Sequence, residues 1–163
     1  NDPDYLQIGY IGNARGGGLP EPCALTPTEQ YSFMSLWCLM ASPLFYSGDL
    51  SKLDEFTLNV LCNPEVIEVD QDPLGECARV VKLDDERFVM IKRMSDDSHA
   101  LGLGNAGEFP VKVSAVWNDL GLADAQKVRD LWRQKDLGNF PKEFAQEVPR
   151  RGVVLVRVAA PTP

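Results

Sequence analysis

Leu25-Thr26-Pro27-Thr28-Glu29-Gln30 and Asn63-Pro64-Glu65-Val66-Ile67-Glu68-Val69-Asp70-Gln71-Asp72-Pro73-Leu74-Gly75 decide how this chain folds. Each stretch opens with a capping residue followed by proline. The Thr26 hydroxyl can accept from the first free amides of a helix, and Pro27 sits where no amide is needed. Glu29 is placed to reach back and close a capping box. The helix predicted over Thr26–Ala41 is apolar around most of its circumference (Tyr31, Phe33, Met34, Leu36, Trp37, Cys38, Leu39, Met40), so burial on more than one side is expected. Pro43 ends it by Ser42.

Leu44-Phe45-Tyr46-Ser47 then reads as a short buried strand, stopped by Gly48 and of the kind parallel sheets use. Asp54 or Ser51 opens the next helix, with Phe56, Val60 and Leu61 as its apolar side. Asn63-Pro64 opens a further short one, although Val66–Val69 has equal strand propensity. The stretch Cys23–Gly75 is therefore helix, short strand, helix, helix, stop, and it does not close on itself as a unit.

Upstream, Asn1-Asp2-Pro3-Asp4 leads into Tyr5-Leu6-Gln7-Ile8-Gly9-Tyr10. Two carboxylates around a proline are common turn and cap formers. Gly12 to Pro22 is a glycine-rich loop. Its Gly16-Gly17-Gly18 lacks the strand-to-helix context of a phosphate cradle.

Downstream of Cys77 the apolar period changes from 3.6 to 2. Candidate strands are Arg79–Leu83, Arg87–Met94, Ala100–Gly104, Val111–Trp117, Lys127–Arg133, Glu143–Val148 and Val153–Val158. Turn clusters separate them, among them Asp136 to Asn139. An antiparallel sandwich is expected. The domain reading is thus residues 1–75 and residues 76–163.

Charge supports a break near that point. Residues 1–72 carry eleven acidic side chains against two basic, a net of −9, whereas residues 73–163 net +1. The acidic first part disfavours nucleic acid and anionic membranes as partners. No run of apolar residues is long enough to span a bilayer. No signal-peptide pattern is visible, and an opening Asn-Asp-Pro-Asp without Met reads as the middle of a longer protein. The four cysteines, Cys23, Cys38, Cys62 and Cys77, and the single His99 show no metal-ligand spacing, and no cofactor is expected. Cys38 is expected to be a buried thiol and His99 to be solvated. Trp37, Trp117 and Trp132 are expected in packing, the last two on strands.

Three motifs, in this order and spacing, resemble glycoside hydrolase family 27, the α-galactosidases and α-N-acetylgalactosaminidases. They are Asn1-Asp2-Pro3-Asp4, the Ser35-Leu36-Trp37-Cys38-Leu39-Met40-Ala41-Ser42-Pro43-Leu44-Phe45 helix end, and Asn63 to Gly75. The resemblance covers residues 1–75 by motif and the remainder by pattern. It implies an α+β chain made of the last quarter of a (β/α)8 barrel followed by an antiparallel β-sandwich, with Asn1 just past the seventh barrel strand and Val66–Val69 helical. It also implies retaining hydrolysis of an α-galactoside or related oligosaccharide by two aspartates upstream of Asn1, so no catalytic residue is assigned to this chain, and the chain alone is expected to be inactive.

What the resemblance carries over is substrate-binding. Asp4 falls on the sugar-pocket wall, Tyr5 stands where the family usually has Met, and Asp2 holds the loop. The Tyr5 departure and a long Ile11–Leu25 loop leave the sugar open between galactose, N-acetylgalactosamine and another α-linked sugar. An extracellular or periplasmic compartment is the expectation for the parent enzyme. Two other readings stand beside this one. In one, the sandwich is a non-catalytic carbohydrate-binding or scaffolding module, with Trp117 or Trp132 on its sugar face. In the other, a partial barrel pairs with a second copy or another chain to cover its apolar helices. Residues 25–75 are expected either to pack on the sandwich or to pair between copies.

Overall fold

The computed structural model describes residues 3–12, 19–122 and 125–161. Helix α1 spans Pro27–Leu39, and its capping box is complete: Glu29 N donates to Thr26 Oγ1 at 3.3 Å, and Thr26 N donates to Glu29 Oε2 at 2.9 Å. Helix α2, Glu55–Leu61, is capped by Asp54, whose Oδ1 accepts from Thr57 N at 2.7 Å. Ser51 instead lies in a 3-10 turn over Leu50–Lys52, capped by Asp49. Helix α3, Pro64–Asp70, is capped by Asn63 Oδ1, which accepts from the Glu65 and Val66 amides at 3.0 and 3.3 Å. The local cap therefore overrides the strand propensity of Val66–Val69.

Ahead of α1, the two-residue strands β1 (Tyr10–Ile11) and β2 (Glu21–Pro22) pair antiparallel. The Gly16-Gly17-Gly18 run lies outside the described residues. The predicted strand at Leu44–Ser47 is corrected. Only Tyr46 and Gly48 make bridges, a parallel one to Leu6 and an antiparallel one to Ile11. Phe45 is 63% exposed. The segment is extended, with hydrogen-bonding neighbours along one edge among the described residues, and no layer covers the face that carries Phe45.

The remaining strands are β3 (Arg79–Lys82), β4 (Arg87–Arg93), β5 (His99–Asn105), β6 (Val111–Val116), β7 (Gln126–Asp130), β8 (Lys135–Phe140), β9 (Glu143–Val148) and β10 (Val153–Ala159). All pair antiparallel, in a six-stranded sheet of order β3-β4-β5-β10-β7-β8 and a two-stranded sheet β6-β9. Strand β8 corrects the turn cluster expected at Asp136 to Asn139. Trp117 does not end a strand but opens a short helix, α4 (Trp117–Leu120), and Trp132 sits in the turn after β7.

The period-2 rule sorts the large sheet's side chains to two faces. Val89, Ile91, Leu101, Leu103, Val156 and Val158 pack against Val113, Ala115, Trp117 and Phe144 beneath β6-β9. Met90, Ala100 and Leu155 face the other way, into a core shared with Met34, Cys38, Leu39, Val60, Val66 and Val69 of the helices. Gly102 makes that approach possible, because a Cβ there would stand 2.5 Å from Leu39 Cδ1. Of the two expected ways of covering the helices, the structure shows packing on the sandwich. Burying these side chains contributes about 1.5–3 kcal/mol each for the larger ones, so this shared core holds the two parts together.

The expectation of a solvated His99 is also corrected. It is half-buried at the start of β5, and burial, then the Arg93 charge, hold its imidazole below the ordinary range. Among the described residues no helix is long and apolar enough to cross a membrane.

Candidate functional site

Pro3 to Gly9 runs extended past the C-terminal end of α1 and onto the 44–48 segment. Leu6 N donates to Phe45 O at 2.7 Å and Ser47 N donates to Leu6 O at 3.2 Å, a parallel pairing. Leu6 and Ile8 point inward and are buried. Gly9 then turns away with φ +71°, where a Cβ would meet the Thr57 side chain at 2.7 Å. Its amide donates to Gln30 Oε1 at 3.0 Å, which pins the segment to α1.

This alternation pushes Tyr5 outward, 52% exposed. Its ring meets Phe45 edge to face, with centroids 6.3 Å apart and planes at 68°. Asp4 is exposed beside it, and Asp4 Oδ1 accepts from Tyr5 N at 2.7 Å, which fixes the carboxyl against its own backbone. Trp37 Nε1 donates to Asp4 O at 3.0 Å, and the indole stacks on Phe33 with centroids 3.9 Å apart. Trp37 is thus a packing residue that also holds the loop.

Of the residues picked from sequence, Asp4 and Tyr5 come together on one exposed corner, and Asp2 lies outside the described residues. The parallel bridge follows Asp4 and Tyr5 in the chain rather than preceding them. Phe45 completes the aromatic corner and was missed, because an apolar run flanked by helices reads as wholly buried. Its outward placement is detectable only from alternation with Tyr46, which the bridge to Leu6 fixes.

Below this corner Tyr46 is half-buried, and burial, then Asp49, pushes its phenol above the ordinary range. The Ser51 hydroxyl and amide hold the Asp49 carboxyl below its ordinary range. Among the described residues no group of three or more His, Cys, Asp or Glu side chains is arranged to hold a metal. An exposed carboxylate accepts hydrogen bonds from hydroxyls, and exposed ring faces cover the apolar face of a sugar.

Two family profiles match the chain: one described as alpha galactosidase A over residues 1–72, and one described as the alpha galactosidase C-terminal beta sandwich domain over residues 84–158. A probable alpha-galactosidase of Dictyostelium discoideum is 31% identical over 96% of this chain and 39% of its own length. The crystal structure of a GH27 β-L-arabinopyranosidase from Geobacillus stearothermophilus superposes with TM-score 0.89 at 33% identity, over 98% of this chain and 37% of that one. That of alpha-galactosidase I from Mortierella vinacea gives TM-score 0.83 at 28% identity, over 97% and 39%. The chain therefore spans roughly two fifths of the relatives it matches. The fold is that of the last part of a (β/α)8 barrel carrying its antiparallel C-terminal β-sandwich. The two profile matches, the motifs and the superposition together show that the chain belongs to glycoside hydrolase family 27, the α-galactosidase family.

Proposed function

We propose that this chain supplies one wall of the sugar pocket in a retaining glycosidase that releases terminal α-linked galactose. Asp4 accepts hydrogen bonds from sugar hydroxyls, Tyr5 covers the sugar's apolar face, and Asp2 holds the loop. The observation that carries this reading is the exposed corner itself: Asp4, Tyr5 and Phe45 side by side, held from behind by Trp37. Neither acid/base nor nucleophile is assigned here. Retaining chemistry needs two carboxyl groups about 5–5.5 Å apart, and the family resemblance puts both upstream of Asn1. The 163-residue chain by itself is inactive in this reading.

The relatives' names favour galactose. The arabinopyranosidase neighbour fits the same pocket chemistry, since β-L-arabinopyranose shares galactose's ring stereochemistry without its C6 hydroxymethyl. The test is a titration of the 163-residue chain with methyl α-D-galactoside, followed by NMR, beside an aryl-galactoside hydrolysis assay. Expected are no turnover and saturable shifts at Asp4, Tyr5 and Phe45 that D4N weakens. Robust turnover would overturn the inactivity. Shifts unaffected by both D4N and Y5A would remove the pocket role.

A further inference from the structure

A second concave site lies on the far side of α1. Tyr31 and Trp37 are six residues apart on that helix, which sets them about 120° apart around its axis, so a ligand on the Tyr31 side is separate from the Asp4–Tyr5 corner. Here a cleft of about 320 Å³ opens between α1, the turn after β7, and strands β9 and β10, with Tyr31, Asp130, Trp132, Arg133, Gln146 and Glu147 on its walls.

The aromatic wall is fixed by bonds that leave the cleft free. Trp132 Nε1 donates to Ser35 Oγ at 2.9 Å, and Asn59 Nδ2 donates to the Tyr31 hydroxyl at 2.7 Å. The two rings meet edge to face with centroids 4.6 Å apart. The polar wall is partly fixed as well. Asp130 is buried, and its carboxylate accepts from Arg133 N at 2.9 Å and Arg133 Nη1 at 2.6 Å. Gln146 and Glu147 stand exposed on β9, and their side chains have no hydrogen-bond partner among the described residues. The site is therefore preorganised on one side and open for bonding on the other.

Its chemistry narrows the ligand. Two carboxylates against one guanidinium disfavour an anion, and a chain of net charge −8 disfavours nucleic acid. A wholly apolar ligand would strand the Gln146 and Arg133 groups. What matches a pair of aromatic rings facing planar carboxylate, amide and guanidinium groups is a neutral polyol with one apolar C–H face. The volume sits at the small end of ligand pockets and suits one ring. We propose that this cleft is a non-catalytic binding site for a neutral pyranose sugar unit. It binds by stacking on one of the Trp132 and Tyr31 rings and by hydrogen bonds to Arg133 and Gln146.

The test titrates the ¹⁵N-labelled 163-residue chain with D-galactose and, separately, D-glucose. Expected is a saturable shift of the Trp132 indole and of the residue 145–148 amides with at least one of them. Q146A, at an exposed strand position, should weaken that binding about fivefold, the worth of one hydrogen bond, with the thermal midpoint unchanged, whereas E147A, on the other face of β9, should leave binding as it is. W132F serves as a second variant, removing the indole while keeping a ring. Absence of saturable shifts with both sugars overturns the proposal, as does binding that Q146A leaves untouched. Shifts confined to Asp4, Tyr5 and Phe45 overturn it too, and leave the pocket reading standing.

Discussion

Lys92 Nζ donates to Val69 O at 2.5 Å, and the same ammonium lies 3.4 Å from Cys38 O. Val69 is in the last turn of α3 and Cys38 in the last turn of α1, where carbonyls lack helical partners and carry the negative ends of the dipoles. Lys92 comes from β4 and is 1% exposed. One side chain thus ties two helix ends to the face of the sandwich sheet. Burial pulls the ammonium below its ordinary range, and the nearby Asp70 and Asp72 charges oppose that.

Replacing Lys92 by Met keeps the length of the side chain and removes the donor. The Val69 carbonyl loses its bond, and Asp70 loses its nearest positive charge. Leaving a buried carbonyl without its charged donor costs about 1–3 kcal/mol. The expected outcome for K92M is a loss of that size in urea unfolding, with an unchanged slope. A loss within experimental error would mean that the apolar core alone joins the two parts.

Asp70 pulls the other way. It is 9% exposed, and its Oδ1 has no hydrogen-bond partner. Burial lifts its carboxyl above the ordinary carboxylate range, opposed by the Gln71 amide, which donates to Oδ2 at 2.5 Å, and by Lys92. A carboxyl whose folded pKa is raised binds its proton more tightly when folded. Its stabilising contribution is therefore complete below the unfolded value, about 3.9, and is lost as pH rises through the folded value. D70N should be more stable than the parent at pH 7, because burial outweighs the Lys92 charge in raising the carboxyl and the amide has no charge to bury. That advantage should vanish in acid, where the parent is protonated. Unfolding curves for both chains across this range check it, and equal stability at neutral pH would refute it.

The cysteines report on the same interface. All four are free: Cys62 and Cys77 are exposed, Cys23 is half-buried, and Cys38 is buried. Burial, then the Asp70 charge, pushes the Cys38 thiol far up, and the thiolate is the reactive form. Iodoacetamide should modify Cys62 and Cys77 in the native chain, Cys23 more slowly because its Sγ donates to Gln7 O at 2.8 Å, and Cys38 only on unfolding. Peptide mass mapping reads the order. Rapid labelling of Cys38 would show that α1 lifts off the sheet in the folded state.

What could be read ahead of the structure follows where the signal is local. The capping box at Thr26 and Glu29 and the Asn63 cap are decided by residues within one turn, and they stand as the sequence reading has them. The antiparallel sandwich is legible from alternation in strands that bury a face. Strand β8, Lys135–Phe140, buries almost nothing, so Asp136, Gly138 and Asn139 give it the composition of a turn. Its place comes from pairing with β7 across a bulge at Val128/Arg129, a non-local fact. Trp132 looked like strand packing, yet its indole bonds to Ser35, 97 residues earlier in the chain. Asp4 and Tyr5 were named from a motif; Phe45 depends on which way an extended segment faces.

The end of α1 shows the same limit and carries the last prediction. Pro43 puts the stop by Ser42, and within that limit the helix closes at Leu39 in a Schellman motif that the sequence does not announce: Ser42 N donates to Trp37 O at 3.1 Å and Ala41 N to Cys38 O at 3.2 Å. The residue in the left-handed position is Ala41, at φ 50°, where glycine is the usual occupant. A Cβ in that region costs about 1 kcal/mol. Ala41→Gly removes the strain while the unfolded chain gains some freedom. The expected outcome is a net stabilisation of about 0.5 kcal/mol, seen as a higher unfolding midpoint. Destabilisation of that size instead would mean that the Ala41 methyl contributes more through packing beside Ser42 and Pro43 than the left-handed backbone costs.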